Sequence, residues 1–313
     1  MKTAFLFPGQ GSQAVGMGRD LADAYPEARA VFDEVDTALG DALSQTMFDG
    51  PDDQLTLTEN AQPALMAVSM AVVRVLEARG VDLVDTVDYV AGHSLGEYSA
   101  LCAAGAVSIA DTARLLRTRG QAMQRAVPVG EGAMAALMGL DFETASAIAA
   151  EAASGEVCAA ANDNADGQVV LSGTASAVER AIAIAETKGA RKAVRLPVSA
   201  PFHCALMAPA ADVMAEALAA TEITAPKIPV IANVGVAEVS TPDAIRASLV
   251  EQVTGTVRWR ETGQWLAAHA VTTAYEVGAG KVLTGLMRRI DRSIAMSPLG
   301  TPSEIDAFLA DRS

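Results

Sequence analysis

Tyr89-Val90-Ala91-Gly92-His93-Ser94-Leu95-Gly96-Glu97-Tyr98 decides the fold, because a short apolar run there enters a glycine-flanked serine and leaves it as helix-compatible sequence. Gly92-His93-Ser94-Leu95-Gly96 matches the G-x-S-x-G elbow, in which a strand turns sharply into a helix and exposes a serine at the bend. The helix start would put amide donors and a positive dipole end beside an oxyanion. An ordinary strand-to-helix turn is the competing reading, and the flanking strand and helix patterns weigh against it.

Working outward, Thr3–Phe7 is a second buried-strand candidate, stopped by Pro8-Gly9 and followed by a glycine-rich loop. A helical pattern covers Ala61–Arg79 and Gly80 stops it. From Gly130 to Pro197 the order is strand (Ala133–Leu140), helix (from Phe142), strand (Val157–Ala161), strand (Val169–Leu171), helix (Ala175–Lys188), strand (Lys192–Leu196). That β-α-β-β-α-β order predicts a ferredoxin-like unit. Helices over Leu206–Ala220, Pro242–Gln252 and Thr262–His269 and strands at Pro229–Ala232 and Ala274–Val277 complete the pattern. The expected fold class is therefore α/β: an α/β-hydrolase-like large domain with a parallel sheet, discontinuous over 1–129 and 198–313, plus an inserted ferredoxin-like subdomain at 130–197. Asp49–Asn60 reads as an exposed loop without chemistry.

The chain has 313 residues, 51% of them apolar and 19% charged, enough to bury a sizeable core. A formal net charge of −15 argues against nucleic acid and anionic membrane as partners. The first apolar run is too short for a signal-peptide core, and the expected location is cytoplasmic. Cys102, Cys158 and Cys204 lack metal-ligand or CxxC spacing, so neither a metal site nor a disulfide framework is expected. Lys188, Arg191, Lys192 and Arg195 crowd one stretch, and Lys281, Arg288 and Arg289 another; a solvated surface is the simplest reading of both.

Serine needs a base, and the chain offers only His93, His203 and His269. His93 sits at the bend beside the serine, and His269 lies in an alanine-rich helical stretch. His203, where strand-like sequence meets Pro201, remains the candidate, and a serine followed far downstream by a histidine is the hydrolase-like order. Gly9-Gln10-Gly11 has neither dinucleotide-binding nor P-loop spacing, which removes a nucleotide site.

Several separated segments together resemble one family: Phe7-Pro8-Gly9-Gln10-Gly11-Ser12-Gln13, Gly92 to Tyr98, Arg119-Gly120 and Ser199-Ala200-Pro201-Phe202-His203. Asn162-Asp163-Asn164, Gly167 to Val170, Tyr275 to Gly278 and Gly280 to Gly285 extend the likeness nearly end to end. The family is the malonyl-CoA:acyl-carrier-protein transacylases of type II fatty-acid synthesis, related to polyketide acyltransferases. The resemblance implies that Ser94 carries a malonyl ester, that His203 is its base, and that the backbone amides of Gln10 and Leu95 form the oxyanion hole. It implies that Arg119 clamps the free malonyl carboxylate; without it, Arg119 is one more helix-surface charge near Arg114 and Arg117. It also assigns the main-chain carbonyl at Gln252 to orienting the histidine in place of an aspartate, and Phe202 to disfavouring branched acyl groups. Thr256 departs from the proline common before the Val-x-Trp of Val257-Arg258-Trp259, which leaves the path of the Gln252 loop open. Malonyl-CoA and acyl carrier protein are the implied partners of a monomer with no cofactor of its own, since the phosphopantetheine belongs to the carrier. A thioesterase or other serine hydrolase, a polyketide-pathway acyltransferase and a noncatalytic binder on the same scaffold are the alternatives.

Overall fold

The computed structural model describes residues 2–198 and 200–312. Ser199, within the quoted Ser199-to-His203 segment, lies outside the described residues. At the centre is β1 (Lys2–Phe7), with β2 (Tyr89–Gly92) and β9 (Val271–Val277) parallel on either side. Successive residues of β1 enter opposite cores. Phe5 and Phe7 pack with the helix Thr58–Ala78, while Ala4 and Leu6 pack with Trp259, Leu266, Leu283 and Met287. A parallel strand buried on both faces reads as a continuous apolar run, which is why Thr3–Phe7 shows no polar alternation.

With β7 (Val230–Ile231), β8 (Glu238–Val239) and β10 (Ala295–Leu299), the sheet order is β10-β9-β1-β2-β7-β8, with only β8 antiparallel to its neighbour. The remaining strands, β3 (Gly132–Met138), β4 (Cys158–Ala165), β5 (Gln168–Thr174) and β6 (Lys192–Arg195), form an antiparallel sheet of order β4-β5-β3-β6. Taken in chain order within that sheet this is the ferredoxin-like arrangement, with the helices Phe142–Ala153 and Ala175–Thr187 packed on Leu137, Val169 and Leu171. The expected α/β class, with a parallel-sheet large part and a ferredoxin-like small one, is the observed fold.

The two sheets are tied at one seam. Asp163 N donates to Val257 O and Val257 N to Ala161 O, both at 2.9 Å, and the Arg260 Nε reaches Asp163 Oδ2 at 2.9 Å. Thr256, the departure from the family proline, donates from Oγ1 to Ala160 O at 2.7 Å, so the loop after Gln252 is anchored to β4 by a side chain instead.

Asp49–Asn60 is not simply an exposed loop. A short helix, Asp52–Leu55, buries Leu55, and the helix Thr58–Ala78 begins three residues earlier than the periodicity indicated. Thr58 is buried and donates to Gln10 Oε1 at 3.0 Å, so this stretch touches the loop after β1. Its Asp, Thr, Gly and Pro content masked one apolar anchor and one buried hydroxyl.

Candidate active site

The elbow is compressed beyond what any side chain would allow. A Cβ on Gly92 would lie 1.9 Å from Gly96 C, and one on Gly96 would lie 2.2 Å from Phe7 O, so both positions require glycine. Ser94 takes φ +53°, and His203 takes φ +58°. Of the five non-glycine residues with positive φ among the described residues, these two thus concentrate backbone strain at one site. Asn233 offsets that strain at the elbow. Fully buried, it accepts from Ser94 N at 2.7 Å and donates from Nδ2 to Gly92 O at 2.6 Å.

Ser94 Oγ lies 2.8 Å from His203 Nε2, and His203 Nδ1 lies 2.9 Å from the Gln252 main-chain oxygen. A carbonyl only accepts, so Nδ1 carries the proton and Nε2 presents its lone pair to the serine. That is the tautomer of a general base, obtained without a carboxylate. Gln252 sits near the end of the helix Pro242–Thr254, whose Gly255 cap and Thr256 anchor follow directly.

Arg119 is on the helix Ile109–Ala126, started by Ser108, whose Oγ accepts from Asp111 N at 3.0 Å. Arg114 and Arg117 project outward to Asp111 and Asp41. Arg119 instead belongs to the buried stripe Thr112, Leu115, Leu116, Arg119, Ala122, Met123, with 2% of its surface exposed. The i, i+3, i+4, i+7 spacing of that stripe is the signal that separates it from its neighbours. Gly120 brings the helix close, since a Cβ there would lie 2.5 Å from Glu59 Cα. The guanidinium donates to Gln62 Oε1 and Gln252 Oε1, each at 2.8 Å, and to Ser94 Oγ at 3.1 Å, while its Nε has no hydrogen-bond partner among the described residues. Among the described residues it forms no ion pair, although Glu97 is close enough to act on it electrostatically. A buried cation held only by neutral groups is set to take an anion.

These groups face a cavity of about 410 Å³, which also receives Gln10, His93, Leu95, Phe202 and, from the small sheet, Met134, Asn162, Asn164 and Val170. The backbone amides of Gln10 and Leu95 donate to no group among the described residues. His93 is turned to Asn164, with Nε2 2.8 Å from Oδ1, and His269 hydrogen-bonds Trp265 O through Nδ1 while stacking on its ring. A second, larger cavity of about 780 Å³ lies between the helix ends near Gly80 and Gly105 and contains none of the candidate residues. Cavity size is therefore a poor guide to this site.

Burial and the Arg119 charge push the His203 imidazole down to about 3, so it stays neutral across the working pH range. Burial pushes the Glu97 carboxyl up to about 7. The two act oppositely on stability. His203 contributes stability that is complete above pH 6.5 and lost as pH falls toward about 3; Glu97 contributes stability complete below pH 4.5 and lost as pH rises through about 7. Of these two groups, only His203 still changes stability below pH 4.5, where the depressed carboxyls of Asp141, Glu156 and Asp291 add their own loss. Replacing His203 by Gln should therefore flatten the acid-side fall of the denaturant midpoint between pH 4.5 and 3, measured as the difference from the parent chain.

The basic clusters divide. Lys188, Arg195 and Lys281 are ion-paired with Glu151, Glu179 and Glu304. Arg289 instead donates to Gln168 Oε1 at 3.0 Å, and Gly167 O accepts from Gly139 N, against which the Arg191 side chain lies. The two sequence clusters thus approach one another at one end of the small sheet, and Val170, two residues along β5 from Gln168, lines the cavity.

This fold and cavity define an acyl transferase domain, and the family model of that description matches residues 4–296. The chain belongs to the family of malonyl CoA-acyl carrier protein transacylases. It is 47% identical over 306 residues to the protein of that name from Escherichia coli strain K12, covering 98% of each chain. The crystal structure of an acyl-carrier-protein-S-malonyltransferase from Bartonella henselae superposes with a TM-score of 0.98 at 58% identity, covering 99% of each chain. A malonyl-transacylase solved with a type II polyketide synthase acyl-carrier protein superposes with a TM-score of 0.96 at 41% identity, covering 99% of this chain and 100% of that one.

Proposed function

We propose that this acyltransferase moves the malonyl group of malonyl-CoA to the phosphopantetheine thiol of acyl carrier protein, through a malonyl ester on Ser94. The observation that carries this reading is the buried Arg119 guanidinium, without an anionic partner in hydrogen-bond reach among the described residues, 3.1 Å from a serine that already faces a base. Ser94 Oγ attacks the thioester carbonyl carbon as its proton passes to His203 Nε2. The resulting oxyanion is taken by the amides of Gln10 and Leu95, and the coenzyme A sulfur leaves with the proton from His203. The carrier thiol then gives its proton to His203 and attacks the ester, and Ser94 recovers its proton as malonyl-carrier departs. Phe202, on the cavity wall beside His203, crowds the acyl α-carbon, a kind of contact worth about 1–3 kcal/mol against branched groups.

The unit at 130–197 supplies the wall that keeps water from the ester. The same reading makes the chain a cytoplasmic monomer, without a cofactor of its own, that supplies malonyl-carrier for fatty-acid synthesis. A transfer assay with several acyl-CoAs and a separate carrier protein tests it. Malonyl should move to the carrier in a ping-pong pattern, and release of free acid without carrier acylation would identify a hydrolase instead.

Acyl carriers of this kind are acidic, and so is this chain, so docking needs a local basic edge. Arg191, Lys192, Arg288 and Arg289 form no ion pair among the described residues and offer one beside the cavity. Reversing Arg191 and Arg289 to Glu should raise the carrier KM roughly tenfold and flatten its salt dependence, whereas reversing Lys188 and Lys281 should change it far less. Equal effects from both pairs would move the docking face elsewhere.

A further inference from the structure

Glu97 is fully buried in the first turn of the helix Gly96–Ala103, and the acyl-transfer steps above do not use it. Its Oε2 accepts from Gln252 Nε2 at 2.8 Å and from Asn233 N at 3.0 Å, and Ser248 Oγ lies 3.5 Å from Oε1. The same Gln252 amide nitrogen donates to Ser94 O at 3.0 Å. Both amide hydrogens are thus engaged by groups that accept, which leaves Gln252 Oε1 to face Arg119 Nη2 at 2.8 Å.

We infer that Glu97 is a positioning residue: by fixing the Gln252 amide, it turns that amide's oxygen toward Arg119 and aims the guanidinium at the incoming acyl carboxylate. This rests on the reading of Arg119 as the carboxylate clamp. The amide interposed between Glu97 and Arg119 is the important feature. A direct Glu97–Arg119 pair would satisfy the guanidinium and compete with the acyl carboxylate for it. With Gln252 between them, Glu97 steadies the guanidinium through the amide it holds, and Arg119 donates only to neutral oxygens that an anion can outcompete. The role of Oε2 is that of an acceptor, which a protonated carboxyl or an amide can also fill. The Gln252 main-chain oxygen that holds His203 belongs to the helix backbone and does not depend on the side-chain amide.

The charge and the position of the acceptor can therefore be separated. Glu97→Gln keeps an acceptor in place without the charge; Glu97→Asp keeps the charge and withdraws the acceptor by about 1.5 Å, out of hydrogen-bond range. In steady-state assays, Glu97→Gln should hold the malonyl-CoA KM within about threefold of the parent. Glu97→Asp should raise it about tenfold or more while changing acetyl transfer less than about threefold. Should Glu97→Asp fail to fold, Glu97→Met, which fills the space with no acceptor, is judged by the same criteria. The inference is overturned if Glu97→Gln loses malonyl recognition as Glu97→Asp does. It is equally overturned if the acceptor-withdrawing variant leaves the malonyl KM unchanged or depresses both substrates together. Arg119→Ala run in parallel separates the two readings. Equal losses on both substrates there mean that the clamp has failed; a selective loss there beside a nonselective Glu97→Asp means that only the Glu97 role has.

Discussion

Replacing Ser94 by Ala is expected to lower malonyl transfer by roughly four to six orders of magnitude while leaving the fold intact. The size of the loss follows from the geometry. Ser94 Oγ is the atom that both His203 Nε2, at 2.8 Å, and Arg119 Nη2, at 3.1 Å, converge on, and no other hydroxyl lies within reach of that imidazole among the described residues. The elbow does not depend on the hydroxyl, because its shape comes from Gly92, Gly96 and the Asn233 staple to Ser94 N and Gly92 O. Intact-mass measurement after incubation with malonyl-CoA gives the most direct reading: one malonyl adduct on the parent chain and none on Ser94→Ala. An adduct that persists in the variant would locate the nucleophile elsewhere, and no adduct on either would leave only binding. His203→Gln should resemble Ser94→Ala in rate rather than add to it, since nucleophile and base act as a unit.

The elbow was readable in the sequence because it is a local event: two glycines four residues apart, an apolar strand before them and helix-compatible residues after. The small sheet was readable for a similar reason, since its strands and helices follow one another with short connections and clear changes of period. What supports the elbow was not readable. Asn233, Gln62 and Ser248 reach Gly92, Arg119 and Glu97 across more than fifty residues of chain, and a lone amide or hydroxyl in sequence carries no mark of its distant partner. Glu97 directly follows the elbow motif, but nothing in a one-dimensional pattern reveals that a carboxylate in a first helical turn, ordinarily a favourable exposed position, is fully buried. Strand β10 carries no clear sequence signal, because its Ser297-Pro298 breaks the apolar pattern and its outer position leaves it partly exposed. Arg119 lies between these cases. Its basic neighbours Arg114 and Arg117 make it read as a surface charge, although the helical stripe through Leu115, Leu116, Ala122 and Met123 carries the signal that it is buried.

That interior placement sets the second large effect. Arg119→Ala is expected to lower kcat/KM for malonyl-CoA by roughly 10² to 10⁴, corresponding to the about 3–5 kcal/mol lost when one partner of a buried, hydrogen-bonded charge pair is removed. Acetyl-CoA has no carboxylate to present, so its transfer should change much less and the malonyl preference should collapse. Some loss on acetyl-CoA is also expected, because Arg119 donates to Ser94 Oγ in the resting site and, on the proposed mechanism, would stabilise a developing alkoxide there. It also holds the His203 imidazole low by its charge. The diagnostic quantity is therefore the ratio between the two substrates rather than either rate. Arg119→Lys restores a cation but not the planar pair of donors, and a single ammonium cannot replace the guanidinium contacts to Gln62, Gln252 and Ser94 together. It should recover charge-dependent binding in part while leaving kcat/KM for malonyl-CoA well below the parent value. If lysine restored it fully, charge alone would be enough and the fork geometry would be irrelevant; if alanine depressed both substrates equally, Arg119 would serve the serine and not the acyl group.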